Sequence, residues 1–332
     1  ANSVFLSQFT LDGDFISAVP LSKSSGVNIL LNAEINKLTQ TVNICGRFTY
    51  NMNFDLSPNS DYPVGGSYAY DYVANYDFNG NLNWVRYLDN SNLVGERRFS
   101  DIATDNLGNT YWTGHFRDTA WLTDQENFPP LVSHQVSSMY NDIFVVKYDQ
   151  SGNAIWQSQI SAPIDELITQ RKLIYHNSEL FFSTISDDSV YFKYFYDGNW
   201  ETEVSSSSPD FKHSIFKFNP LDGKKISRMT FFNSQLFGFL TFTLNEDNQI
   251  YLAVRISPFS GVVDFNPDME NEFLLEATAS QGEFYLAKYD SDGSFIWAFS
   301  GSGDNNSVSK FITLIDENEP LLIGSLRGQI DV

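Results

Sequence analysis

The chain has 332 residues, 41 acidic and 20 basic side chains, a formal net charge of −21 and one cysteine. That balance repels nucleic acid and anionic membrane surfaces, no run of 18 apolar residues is present to cross a bilayer, and a lone Cys45 excludes a disulfide framework or a cysteine-based metal site. Aromatic residues make up 16% of the chain against 18% charged, a composition that suits half-buried pleated surfaces, so an all-β fold is expected.

In chain order, the first element is a hairpin over Val4 to Ile16, with alternating apolar residues around Asp12-Gly13. The pattern returns at Tyr72 to Trp84, Asn141 to Trp156 and Gly282 to Trp297, and more weakly at Ile215 to Gly223 with one extra residue in its turn. Each copy reads as strand, tight turn, strand, the glycine supplying the left-handed residue that a short hairpin needs. The turn glycines Gly13, Gly80, Gly152, Gly223 and Gly293 are spaced by 67, 72, 71 and 70 residues. A second hairpin lies between successive copies: Glu34 to Phe48, Asp101 to Phe116, a degenerate one near Leu173 to Ile185, Thr241 to Ile256, and Ile312 to Leu326. Each period therefore holds four strands, the signature of a β-propeller blade.

The chain ends on Gly328 to Val332, which matches Gly261 to Phe265, the segment after the first hairpin of an earlier period. The C-terminus then supplies two strands of a blade and the N-terminus the other two. The expectation is one five-bladed propeller with four-stranded antiparallel blades. The closing blade joins 1–24 to 304–332, and the others cover approximately 25–95, 96–165, 166–235 and 236–303. Pairing the terminal strands in one sheet would close the ring and remove free strand edges.

The hairpins Lys147 to Trp156 and Asp101 to Gly114, with the Val263-Asp264-Phe265-x-Pro267 element, resemble the bacterial β-propeller repeat found in secreted and surface proteins, often of the Bacteroidota. The period from Leu173 to Phe231 departs most from it, with Ser227 where other copies carry Trp. The resemblance implies a binding or scaffold module, with export by a type IX route and surface attachment. The N-terminus lacks a basic start and an apolar stretch, so either the protein is cytosolic or a signal has been removed; the acidic, lysine-poor and cysteine-poor balance fits a secreted or cell-surface protein with its signal removed.

Candidate chemistry is sparse. Asp12, Asp77, Asp105, Asp149 and Asp290 open tight turns, where a carboxylate accepts its own turn's backbone N–H groups. A calcium loop at Asp290 would need a glutamate at its twelfth position, and Ser300-Gly301-Ser302 offers none. Asp55, Asp264 and Asp331 read as equivalent positions in the element that follows each period's first hairpin. His115, His134, His176 and His213 show no ligand spacing, so neither metal nor cofactor is expected. Trp84, Trp156 and Trp297 share one repeat position and read as packing between blades. Trp112 and Cys45 read as buried strand residues. His115 sits at a position held by Arg47 and Arg255 in other periods, which suggests exposure to solvent or a channel.

The remainder is the aromatic segment Tyr191 to Trp200 and Trp121. Exposed aromatics flanked by Asn and Asp stack sugar rings or anchor a partner, and cross-strand packing is the competing reading. Trp200, Tyr194, Tyr196 and Trp121 are therefore the candidate binding residues. The expected function is non-catalytic recognition of a surface or outer-membrane protein, or of a glycan. The alternative is a glycoside hydrolase or lyase with carboxylates such as Glu34, Asp101 and Asp316 in a central funnel.

Overall fold

In a computed structural model the chain is described at residues 2–56, 63–65, 69–89, 100–123, 128–133, 141–161, 169–186, 190–205, 212–231, 240–256, 261–268, 270–276, 283–303, 307–316, 318–326 and 330–331. Every regular element among them is a β-strand, and the strands pair antiparallel. No described helix is long and apolar enough to cross a membrane.

The chain opens with the hairpin of β1 (Asn2–Phe9) and β2 (Phe15–Ser24). There follow β3 (Asn28–Asn36), β4 (Thr41–Thr49), the short β5 (Met52–Asn53) and β6 (Pro63–Val64), and the hairpin of β7 (Ala69–Asp77) and β8 (Leu82–Asp89). The next period supplies β9 (Asp101–Thr104), β10 (Thr110–Phe116), β11 (Thr119–Leu122), β12 (Leu131–Val132), β13 (Asp142–Tyr148) and β14 (Ala154–Ser161). The third supplies β15 (Thr169–His176), β16 (Glu179–Ser186), β17 (Val190–Tyr196), β18 (Asn199–Ser205), β19 (Lys212–Phe218) and β20 (Lys225–Thr230). The fourth supplies β21 (Leu240–Leu244), β22 (Ile250–Ile256), β23 (Val262–Asp264), β24 (Leu274–Glu276), β25 (Glu283–Tyr289) and β26 (Phe295–Gly303). Last come β27 (Ser307–Leu314), β28 (Pro320–Leu326) and β29 (Ile330–Asp331).

The chain divides into two compact units, Ala1–Asp165 with Tyr191–Glu203 and Leu221–Gly223, and Glu166–Val190 with Val204–Pro220 and Lys224–Val332. The first unit holds three sheets, ordered β1-β2-β5-β6, β3-β4-β7-β8-β11-β12 and β9-β10-β13-β14-β17-β18. The second holds β15-β16-β19-β20, β21-β22-β25-β26-β29 and the two-stranded sheets β23-β24 and β27-β28. The sequence predicts β1 and β28 in one sheet. Among the described residues β1–β2 continue into β5–β6 at the β2 edge, and β27 and β28 pair with each other.

The predicted turn chemistry is present at Asp77, Asp105, Asp149 and Asp290, but in the first hairpin Thr10 rather than Asp12 opens the turn, its Oγ1 accepting Asp14 N at 3.0 Å and its carbonyl accepting Gly13 N. Asp149 Oδ1 accepts the backbone N–H groups of Ser151 and Asn153, and Gly152 N donates to the Asp149 carbonyl at 3.0 Å with φ at 78°. Asp77 and Asp105 repeat this arrangement. In the β25–β26 turn the work is divided, with Asp290 accepting from Ser291 N and Asp292 from Ser294 N. Burial works to raise the Asp77 carboxyl, but the bonds from Asn81 and Asn79 outweigh it and hold it below the usual value.

The core lies between consecutive sheets. In the first unit, Leu21 and Met52 of one sheet meet Ile44, Phe48 and Tyr72 of the next. On the other face of that second sheet, Cys45, Trp84 and Leu88 meet Trp112, Phe144 and Tyr148. A sheet covered on both faces explains why β4 is buried almost continuously rather than in alternation. In the second unit, Phe181, Ile215 and Met229 pack against Leu252, Val254 and Tyr285. There Tyr251 and Ala253 pack against Ile312 of the β27–β28 hairpin.

Bonds one period long tie neighbouring sheets together. In the first unit Trp84 Nε1 donates to the Gln150 carbonyl at 3.0 Å, Arg86 Nε to Gly152 O at 2.9 Å, and Asn36 Nδ2 to Asp105 O at 2.8 Å. In the second, His176 Nε2 bonds the Asn245 carbonyl at 2.8 Å and Asn245 Nδ2 donates to Asn318 Oδ1 at 3.3 Å. The glycine of one turn lies flat on the Trp of the preceding sheet. A Cβ on Gly152 would come within 2.6 Å of Trp84 Cγ, so no other residue fits that contact.

The short strand after a period's first hairpin adds to the free edge of the preceding sheet. β5 pairs with β2, β11 with β8, β17 with β14 and β29 with β26. This corrects the expected equivalence of Asp55 with Asp264. Asn53 is the equivalent residue: its Oδ1 accepts Asp55 N, as Asp264 Oδ1 accepts Asn266 N. The buried phenols follow the same register, with Tyr76 donating to Phe54 O and Tyr289 to Phe265 O, each at 2.9 Å.

Candidate functional site on an outer hairpin

Residues 191–200 alternate around Asp197-Gly198, and both turn residues have positive φ, 50° and 76°. That geometry matches the twist of the two strands it joins. The resulting β17–β18 hairpin attaches to β14 through a six-residue register from Trp156↔Tyr196 to Ser161↔Tyr191. It caps an edge that β5, β11 and β29 cover in their own sheets by only two residues each.

Alternation sends the hairpin's side chains to two faces. On one face Phe192 and Tyr194 stack with centroids 6.0 Å apart, and Tyr194, 3% exposed, donates its hydroxyl to Glu203 Oε2 at 3.2 Å. Tyr196 ends the same face and is 43% exposed. On the other face Phe195 meets Trp200 at 5.1 Å and Phe128 at 5.2 Å, and Lys193 Nζ stands 4.2 Å from the centre of the Trp200 ring. Trp121 belongs to a different sheet, on β11, where it is 53% exposed opposite Asp89. It fills the place of Asn53 in the short outer strand. The four candidate residues are thus distributed: Tyr194 is structural, Trp200 and Tyr196 point to opposite faces of one hairpin, and Trp121 stands elsewhere.

Two residues that the sequence reading passed over lie on the Trp200 face of the sheet, in β14. Gln157 pairs with Phe195 and Gln159 with Lys193, so both amides share the face of Trp200. They are 0% and 2% exposed. Gln157 Nε2 donates to Pro129 O at 3.0 Å, and Gln159 Oε1 accepts from Val132 N at 3.3 Å. The remaining atoms, Gln157 Oε1 and Gln159 Nε2, have no hydrogen-bond partner among the described residues. Two glutamines at alternate positions of one strand, 157 and 159, were the available signal.

The carboxylates raised for catalysis stand in three separate settings. Asp101 is buried and accepts from Asn32 Nδ2. Glu34 is half-buried along β3 opposite Asn43. Asp316 is exposed in the β27–β28 turn, accepting from Asn318 N. Asp71 is buried with Arg47 Nε at 3.9 Å. Cys45 lies in this polar neighbourhood fully buried, and desolvation, with Asp101 next in weight, pushes its thiol well up, so it stays protonated. His115 is buried rather than exposed to solvent. Among the described residues no three His, Cys, Asp or Glu side chains are placed to hold a metal ion.

The repeat also places a cation over an aromatic ring at one cross-strand pair. Lys147 stands over Tyr111, Lys217 over Phe181 and Lys288 over Tyr251, at 5.1, 5.4 and 4.9 Å. The equivalent pair of the second sheet is Asn43 with Asn75, bonded amide to amide at 2.8 Å. These pairs recur with the fold and read as structural.

No protein-family model matches the chain, and a search of curated proteins finds no match.

Proposed function

We propose that the protein is a non-catalytic binding scaffold, a five-bladed propeller whose partner is a surface or outer-membrane protein or a glycan, and that it acts outside the cell or on its surface. The observation that carries this reading is the β17–β18 hairpin. It departs from the repeat, holds its strands rigidly against β14, and presents Trp200 on one face and exposed Tyr196 on the other. Rigid aromatic anchors on a fixed element lose little conformational freedom on binding. The test is capture of the partner from a native surface fraction with the intact chain and with Trp200→Ala and Tyr196→Ala. Loss of capture in either variant is expected, and unchanged capture by both overturns the assignment of this hairpin.

The ring itself is supported by sheet-to-sheet bonds that recur at one period, by cores on both faces of the inner sheets, and by apolar surface on the terminal elements. Phe5, Phe9 and Phe15 are exposed on β1–β2, and Phe311, Leu321 and Ile323 are exposed on β27–β28. In a closed ring, the register carried over from the other sheets would set Leu322 opposite Ser7. A Ser7→Cys/Leu322→Cys chain should form an intramolecular disulfide under mild oxidation, and a thiol pair that stays reduced in the monomer would refute closure.

A further inference from the structure

We infer that the face of β14 that carries Gln157 and Gln159, the face shared with Phe195, Lys193 and Trp200, is a subsite for a neutral saccharide, covered by the segment Phe128–Val132. This rests on the reading of the hairpin as a binding element and specifies its ligand. The amide orientations are set by backbone partners. Turning Gln157 over would set its oxygen against the Pro129 carbonyl, and turning Gln159 over would set its NH₂ against Val132 N–H. One acceptor, Gln157 Oε1, and one donor, Gln159 Nε2, are therefore left buried and unsatisfied on adjacent side chains. Buried groups of this kind are rare and costly, and they mark a place where something else bonds.

A hydroxyl group donates and accepts, so a sugar hydroxyl, or a vicinal pair, satisfies both atoms at once. The rings of Phe195, Phe128 and Trp200 beside the amides supply apolar surface for the C–H face of a pyranose. Lys193 Nζ, poised over Trp200, is a further donor to a hydroxyl. Glu201 and Glu203 on the hairpin and the net charge of −21 disfavour an anionic ligand. Access follows from the cover's attachment. Phe128–Val132 is held down by the inner atoms of the same two glutamines and by the Phe128–Phe195 contact. The segment opens to admit the sugar and closes over it, remaking its bonds to the inner amide atoms while the sugar takes Gln157 Oε1 and Gln159 Nε2.

The experiment is calorimetric titration of the whole chain with methyl glycosides and neutral disaccharides of glucose, galactose and mannose. At least one should bind. Gln157→Met and Gln159→Met preserve volume without the hydrogen bonds and should each weaken that binding by about tenfold or more, while Leu38→Ala, in the exposed β3–β4 turn, leaves it unchanged. If a methionine variant fails to fold by circular dichroism, hydrogen exchange of the intact chain decides, with saccharide expected to change protection at 128–132. Absence of saccharide binding, equal affinity in folded methionine variants, unaltered exchange, or a crystal structure at saturating sugar with only water on both amides overturns the subsite. Trp200-dependent capture of a protein partner alongside any of those results would leave the scaffold reading standing and remove the saccharide.

Discussion

Trp156 of the third sheet and Ser227 of the fourth occupy the same repeat position, opposite Lys147 and Lys217 respectively. Trp156 is fully buried, and Gly223 lies on its ring. In the second unit the corresponding glycine, Gly293, lies over Met229, where a Cβ would come 3.1 Å from Met229 Cγ. Met229 is two residues beyond Ser227 and on the same face of its strand, so it takes over the covering role with a flexible, unbranched side chain. The contact that joins sheets is therefore a place in the fold. A flat ring filling it demands a glycine above, and a methionine fills the same place more loosely.

That comparison can be broken by substitution. Trp156→Ala should have the largest effect, a loss of about 3–5 kcal/mol read from urea unfolding, because a large ring leaves a cavity that rigid strands cannot close. Gly152→Ala should cost roughly 3 kcal/mol, since it combines a left-handed φ with a clash against Trp84. Met229→Ala should cost about 2 kcal/mol, near the low end for buried Met, and a loss equal to that of Trp156→Ala would refute the looser contact. Gly198→Ala should cost only about 1 kcal/mol, because its φ is positive but nothing lies within 4 Å of a Cβ there.

The smallest effect is a pH dependence at the turns. Asp77 binds its proton more weakly folded than unfolded. Its contribution is complete above the ordinary carboxylate value, near 3.9, and is lost as pH falls through the lower folded value. Asp77→Asn should flatten the fall in urea midpoint between pH 5 and about 2.5. An unchanged slope would show that the turn bonds do not stabilise the charged form.

Much of the fold was legible because hairpins are local. Asp149-x-x-Gly152 specifies its turn by its own hydrogen bonds, and Tyr148 and Trp156 follow by alternation. The candidate site was less legible. Tyr194 and Trp200 are six residues apart and both aromatic, yet the two-residue turn at Asp197-Gly198 sends one to a buried stack and the other beneath an ammonium. Gln157 and Gln159 sit in a strand that repeats faithfully elsewhere, and only the pairing of β17 with β14 sets them beside Phe195 and Lys193. Asp55 was matched to Asp264 by the similar Asp-x-x-Pro spelling, whereas strand pairing and the Tyr76 hydroxyl select Asn53.

Sequence alone determined what lies within reach of a few residues: strand, turn, glycine position and the period at which they recur. The tertiary structure decided which edge each short strand joins, that Met229 substitutes for a tryptophan, and which face of β17–β18 each aromatic ring takes. The physical reason is one of range. Turn geometry and alternation act between neighbours in the chain, while burial of a ring and addition of a strand are settled by residues a full period away.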